Sequence, residues 1–295
     1  MTYIIENAVI LRGDKLSRES IMTDGTVIEA IRPDLSRYTF TKMNVDGFIM
    51  TPAFSILDGS ILANDNAVQS LHGYLMSGVT TVITYIQIQY ERELHIKLEE
   101  AHRQLEESPA DYAIAVKIPL SGLTPAIVRE CKRRKVPAIF VEVPSGAFLD
   151  KAAWGWIREA MFPGNCPLIP IFNESENGSE KQLLSKWKKT MTSEKLPSVL
   201  HELRENIPLS PYELNKLGIY PQRSSLLHKS ELSYNLYIDD FEAENVDEAS
   251  MFLYHRNRLA ITVRRGQIIR HGDHAGFSIM NGEHIRIKTH SYYSF

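Results

Sequence analysis

Between Phe54 and Phe172 short apolar runs alternate with amphipathic stretches, and this rhythm constrains the chain more than any other feature. The apolar runs are Phe54–Leu57, Val79–Ile86, Tyr112–Ile118, Pro137–Val143 and Pro167–Phe172, each read as a strand. Asn66–Ser77 reads as a helix that stops at Gly78, a residue suited to ending helices. Glu91–Glu107 is a long charged helix with Leu94, Leu98, Ala101 and Leu105 on one stripe. Pro125–Arg134 and Lys151–Met161 complete the set of helices. Repeated βα units of this kind predict a parallel sheet with helices outside it, open or closed into a barrel.

The flanks follow other rules. Tyr3–Leu11, Ser20–Ile31 and Met43–Met50 read as strands around turns at Gly13-Asp14, Asp24-Gly25 and Asp46-Gly47, an antiparallel sheet complete before Pro52. Asn173–Ser179 is polar and turn-like; its two glycosylation sequons signify a polar loop where nothing marks the chain for secretion. Glu180–Asn206 reads as helical with a break at Pro197, and Ser210–Leu217 as a short helix. Leu236–Asp239, Leu259–Val263, Gln267–Arg270 and His284–Lys288 return to short strands.

Composition excludes several classes. A net charge of -3 over 295 residues gives no long-range attraction for nucleic acid or an anionic membrane. No apolar run approaches the roughly 20 residues of a membrane helix. The start, Met-Thr-Tyr-Ile-Ile-Glu, reads as a strand and not as a secretion signal. Two cysteines, Cys131 and Cys166, are too few for a disulfide framework and read as reduced thiols of a cytoplasmic protein.

Val45–Ala63 carries a resemblance. Its Asp46, Gly47, Pro52 and Phe54 resemble the segment that opens the barrel of the amidohydrolase superfamily, where an Asp-Gly turn leads to Pro-Gly-Phe-Ile-Asp and a metal-binding His-x-His pair. Gly78–Tyr85 is similar to that family's second barrel strand. Leu217-Gly218-Ile219-Tyr220-Pro221, Leu236–Asp239 and Ala260–Gly272 resemble its dihydropyrimidinase, hydantoinase and dihydroorotase branch, although the Gly-Ala-Asp-Ala-Asp element between them has decayed to Ser230–Asn235. The resemblance implies residues 1–52 joined with 207–295 as a composite β-sandwich, and 53–206 as a TIM-like barrel. A full barrel takes roughly 250 residues. About 150 are present, which at roughly 30 per βα unit is about five units. The implied fold class is α/β plus β, an incomplete barrel with a small sandwich made from both termini.

The same resemblance implies where a metal would sit, and there the residues depart from the family. The His-x-His positions read Asp58-Gly59-Ser60, the strand-four lysine falls at Phe140, and strand five ends Ile171-Phe172-Asn173-Glu174 without a histidine. Metal-activated hydrolysis needs several convergent ligands. The expectation is therefore no catalytic residue, no metal and no cofactor, in a non-catalytic homologue acting in binding or assembly. The alternative is a hydrolase of cyclic amides with an atypical site. Side chains near the C-terminal strand ends face the mouth of such a barrel, and they form a polar set: Asp58, Ser60, Tyr85, Gln87, Lys117, Glu142, Asn173 and Glu174. A small-ligand site and a satisfied network capping a packed core are the two readings of that set, and the network is the simpler.

Other groupings have plain explanations. His271-x-x-His274 lies at a turn after an edge hairpin, and Arg129–Lys135 puts cations at a helix C-terminus, where they suit the dipole. Cys131 in that helix reads as a structural thiol. Trp154 and Trp156 fall on different faces of one helix, a weak sign of a contact surface. With about five units, strands Phe54–Leu57 and Pro167–Phe172 each lose a neighbour, which predicts a homo-oligomer, with Glu180–Asn206 folded over the gap through Leu183, Leu184 and Trp187.

Overall fold

The computed structural model describes residues 2–64, 66–172, 180–240, 246–275 and 281–292. Strands β1 (Tyr3–Arg12), β2 (Lys15–Asp24) and β3 (Val27–Arg32) form an antiparallel meander. Its turns place Gly13 and Gly25 at φ of 62° and 61°. β4 (Thr41–Asn44) and β5 (Phe48–Pro52) stand where Met43–Met50 was expected as one strand of an antiparallel sheet. They instead pair in parallel with successive halves of β1, because the chain from β3 returns to the start of β1. The chain leaves this sheet through Ala53 alone and enters the second at β6 (Phe54–Leu57). Proline at 52 suits that exit, because it ends a strand without a ladder donor.

The second sheet is parallel throughout. β6 is followed by helix α1 (Ala67–Leu75), β7 (Val79–Gln87), α2 (Glu91–Gln104), β8 (Asp111–Pro119), α3 (Pro125–Arg134) and β9 (Ile139–Val143). Helices α4 (Gly146–Lys151) and α5 (Trp154–Met161) precede β10 (Leu168–Phe172), which α6 (Glu180–Ser193) follows. The strands lie in the order β10-β9-β8-β7-β6, curled as half a barrel, with the helices on the outer face. α3 shows the local logic: Thr124 caps Ile127 N–H, Pro125 opens the first turn, and Lys132, Arg133 and Arg134 fill the last. Its apolar stripe, Ile127, Val128 and Cys131, is buried against the sheet.

After α7 (Pro211–Leu217) the chain returns to the first sheet. β11 (Tyr234–Ile238) pairs with β5, and a helix α8 (Glu248–Tyr254) leads into β12 (Leu259–Arg264), β13 (Gln267–His271) and β14 (His274–Ala275). The described residues thus form a mixed sheet built from both ends of the chain and a separate parallel half-barrel from its middle. That is the expected α/β plus β class.

Several boundaries differ from the sequence reading. The helix read over Lys151–Met161 begins only at Trp154: Lys151 ends α4, the chain bends at Ala152 and Ala153, and the Trp154 indole donates back to Leu149 O at 2.8 Å. The helical reading of Glu180–Asn206 holds only to Ser193. From within α6 the Trp187 indole N–H donates to Val199 O (3.0 Å), and residues 197–209, bent at Leu200 and His201 and turned at Asn206, bridge the two edges of the half-barrel. Leu168 N–H donates to Pro197 O and Val199 N–H to Leu168 O on the β10 side. Asn206 N–H donates to Leu57 O and Leu209 N–H to Ser55 O on the β6 side. Both outer edges of the sheet are therefore covered from within Glu180–Asn206 and the residues just after it, as expected of that segment, with Leu183 and Trp187 buried behind this strap and Leu184 only partly buried. His284–Lys288 is not a strand but a docked segment that bonds Tyr112 near the start of β8, before β8 begins to pair with β9. α8 was not anticipated; Asp247, whose side chain caps Ser250 N–H, is its local signal.

Candidate functional site

Six of the eight residues singled out from sequence are described, and the side chains of five, Asp58, Ser60, Tyr85, Lys117 and Glu142, enter hydrogen bonds or ion pairs at the strand ends. Asp58 follows β6 and is buried. Its Oδ1 accepts from Ser60 N–H (2.8 Å) and Ser60 Oγ (2.6 Å), and its Oδ2 accepts from the Tyr74 hydroxyl (2.6 Å). Tyr74 comes from α1, and its oxygen also lies 2.6 Å from the Asn206 side-chain amide on the strap. On β7 the Tyr85 hydroxyl donates to Glu205 Oε1 at 2.9 Å. The Lys117 ammonium on β8 lies 3.0 Å from Glu142 Oε1 on β9 and 5.5 Å from the centre of the Tyr85 ring. Gln87, in register beside Lys117, is exposed, and its backbone carbonyl accepts from Lys97 Nζ (2.7 Å). Asn173 and Glu174 lie outside the described residues.

Sequence reasoning missed Tyr74, Glu205 and Asn206. Tyr74 lies on a helix, not at a strand end, and the strap residues were read as helix. A Cβ on Gly59 would stand 2.2 Å from the Tyr85 ring, so only glycine lets that ring lie across the turn between Asp58 and Ser60.

The electrostatics favour a fixed network. Burial raises the pKa of Tyr74, and Asp58 raises it further; burial and Glu205 act likewise on Tyr85. Both phenols stay protonated and act as hydrogen-bond donors. Lys117, paired with Glu142, is the one cation in this group of named residues, beside the carboxylates of Asp58 and Glu205 that take phenol hydrogen bonds.

Beneath the polar layer the concave face is packed solid. The Phe140 ring lies 5.1 Å from that of Tyr85 and is buried with Ile83, Ala115 and Ile169. α7 and the residues after it press Leu214, Leu217 and Ile219 into the same cluster, joined by Leu209 from the strap. Ser210 and Glu213 form a capping box that starts α7, and Gly218, at φ of 77°, ends it. Among the described residues no group of three histidine, cysteine, aspartate or glutamate side chains is placed to hold a metal ion.

With this geometry in view, comparison with known proteins is informative at the level of fold. No family model matches the sequence, and no curated protein matches it. Solved structures do match along nearly the whole chain. The dihydropyrimidinase of Brevibacillus agri is 10% identical, with a TM-score of 0.62 over 98% of this chain and 99% of that one. A D-hydantoinase is 9% identical, with a TM-score of 0.61 over the same shares. The atrazine chlorohydrolase of Arthrobacter aurescens is 11% identical, with a TM-score of 0.54 over 94% of this chain and 97% of that one. These neighbours are amidohydrolase-superfamily members. The chain shares their fold. At such identities the likeness stops at the fold, in keeping with the resemblance carried by Asp46, Gly47, Pro52 and Phe54.

No helix among the described residues is long and apolar enough to cross a membrane. Cys131 and Cys166 are both buried thiols, and burial pushes the pKa of Cys166 up to about 12.

Proposed function

We propose that the chain is a catalytically degenerate amidohydrolase homologue, a barrel cut to about five βα units that lacks the metal centre and serves as a cytoplasmic binding or assembly protein. The observation that carries this reading is the occupied mouth. The Phe140 ring stands where the resemblance puts a metal-bridging lysine, and both oxygens of Asp58 are taken by Ser60 and Tyr74. Such residues do not fit a divalent metal, whose site needs several free donor atoms on one point. Residues 1–52 with 207–295 form one part in this proposal and 53–206 the other, the first lending α7 to the barrel face of the second.

The test is metal content together with turnover. Protein dialysed after purification is expected to hold far less than about one zinc, nickel or manganese per chain. It is also expected to leave dihydropyrimidines, hydantoins and dihydroorotate unchanged. Turnover abolished by Asp58→Ala would instead establish the alternative, a cyclic-amide hydrolase with an atypical site.

Self-association belongs to the same proposal, but not through open strand edges, because the strap covers them. The exposed aromatic side chains of Trp156, in the first turn of α5, and Phe162, just beyond its end, offer a surface instead (67% and 77% exposed). Light scattering is expected to give more than the chain mass, and Trp156→Ala is expected to lower it. A monomer at every micromolar concentration would remove this part of the proposal.

A further inference from the structure

A cavity with a volume of about 360 Å³ lies on the helical side of the half-barrel, between α2 and the end of α3. Three separate parts of the chain wall it. α2 supplies Glu99 and His102, the C-terminal end of α3 supplies Arg133, Arg134 and Lys135, and the docked segment after residue 281 supplies His284 and Arg286. Leu98, Ile114 and Val136, all buried, form its apolar floor.

Charge is strongly one-sided here. Four cations and Glu99 line the wall; Glu130 behind it pairs with Arg133 and Arg134, and Arg134 is engaged further by Glu99 (3.5 Å) and the His95 ring (2.8 Å), so Lys135 and Arg286 are the cations turned to the recess. That leaves a surplus of two positive charges in a recess only partly open to solvent. The imidazoles of His102 and His284 meet edge to face with ring centres 4.0 Å apart. Burial lowers both their pKa values, that of His284 to about 4, and Arg286 adds to the effect. Neutral imidazoles still offer an N–H each and add no charge.

The docking of the C-terminal segment makes the recess. Tyr112 N–H donates to Glu283 O (2.9 Å), Ile285 N–H to Tyr112 O (2.7 Å) and Ile287 N–H to Lys135 O (3.1 Å). The last bond fixes Lys135 beside Arg286. Helix-dipole neutralisation accounts for the cations ending α3 but not for Arg286 or His284, which reach the same cavity from a distant part of the sequence.

We infer that this cavity binds the phosphate group of a small molecule, with Lys135 and Arg286 neutralising the dianion and the two imidazole N–H groups completing its shell. Guanidinium forks match phosphate oxygens in pairs, and an ammonium serves as a point charge. The volume exceeds that of the bare ion, and Leu98, Ile114 and Val136 offer an apolar face to a carbon skeleton. The phosphate itself is the shared chemistry of a free ion and a phosphorylated metabolite. The inference does not depend on the reading of the mouth.

Calorimetry on the full chain at about 0.15 M salt tests it, with inorganic phosphate, ribose 5-phosphate and unphosphorylated ribose as probes. Saturable one-site binding of at least one phosphate probe, and none of ribose, is expected. Tighter binding of ribose 5-phosphate would assign the site to a phosphorylated metabolite, and equal binding to the free ion. Arg286→Gln and Lys135→Gln should each weaken the affinity at least about tenfold, and Arg286→Lys by less, while Arg32→Gln on β3 should leave it unchanged. Ring NMR signals of His102 and His284 should shift on titration with phosphate, which reports the site even where one variant folds poorly. Absence of saturable binding below about 10 mM, or equal loss in Arg32→Gln, overturns the inference.

Discussion

The phenol of Tyr74 and the carboxylate of Asp58 meet at 2.6 Å, one on the first helix of the half-barrel and the other just past its first strand. Asp58 is only 4% exposed, so this bond is made away from water to an acceptor that suffers when left alone. Tyr74→Phe removes the donor and keeps the ring. The expected cost is about 1–3 kcal/mol of stability, read from urea unfolding. A change below about 0.5 kcal/mol would place the bond among those that solvent replaces freely.

The strap hangs on Trp187. Its indole N–H donates to Val199 O at 3.0 Å, and the ring is fully buried beside Trp154. Trp187→Phe loses the donor and part of the volume, and about 1–3 kcal/mol of destabilisation is expected. Local opening should exceed global loss. Amide exchange at Val199 and Leu209, whose N–H groups bond the two sheet edges, is expected to quicken more than exchange within β8.

Glu248 makes stability fall as pH rises. Its Oε1 accepts from Gly13 N–H at 2.8 Å, and burial pushes its pKa up from 4.5 to about 7. Between those values the folded protein keeps a proton that the unfolded chain has released, so stability declines through this window and levels off above it. Glu248→Gln can still accept from Gly13 and has no proton to lose. Gain at pH 8 over pH 4 is expected, on the order of 1–2 kcal/mol after allowing for partial exposure. Identical pH profiles for the two proteins would show that Glu248 is not the source.

Gly282 passes so close to β8 that a Cβ would stand 1.8 Å from Ala110 O. Backbone cannot yield there as a flexible side chain would. Gly282→Ala is expected to release the segment carrying His284 and Arg286, seen as loss of the His102–His284 ring contact by NMR, while β1–β3 remain folded. Retention of that contact would mean that the segment docks without Gly282.

Sequence periodicity located the parallel strands because each is a continuous apolar run with few rival readings. Pro125–Arg134 was placed to the residue, since its cap and terminal cations are local signals. The strap was misread for the opposite reason: residues 197–209 bond to strands far away in sequence, and no local pattern reports such partners. The mouth shows the same division. Asp58, Tyr85, Lys117 and Glu142 follow from strand alternation, whereas Tyr74 and Glu205 join them only through packing. His102 and His284 come from opposite parts of the chain and meet only because Tyr112 bonds the C-terminal segment.

Closure by the strap also orders events during synthesis. β6 is made early, yet the residues that bond its outer edge, Asn206 and Leu209, emerge about 150 residues later; at roughly 5–20 residues per second that is an interval of many seconds. Until then the nascent chain carries apolar strands with unsatisfied amides on both flanks of its sheet. A ribosome-bound chain that has emerged only to about residue 195 should therefore be a good client for chaperones that grasp exposed strands, and one that has emerged beyond about residue 220 a poor one.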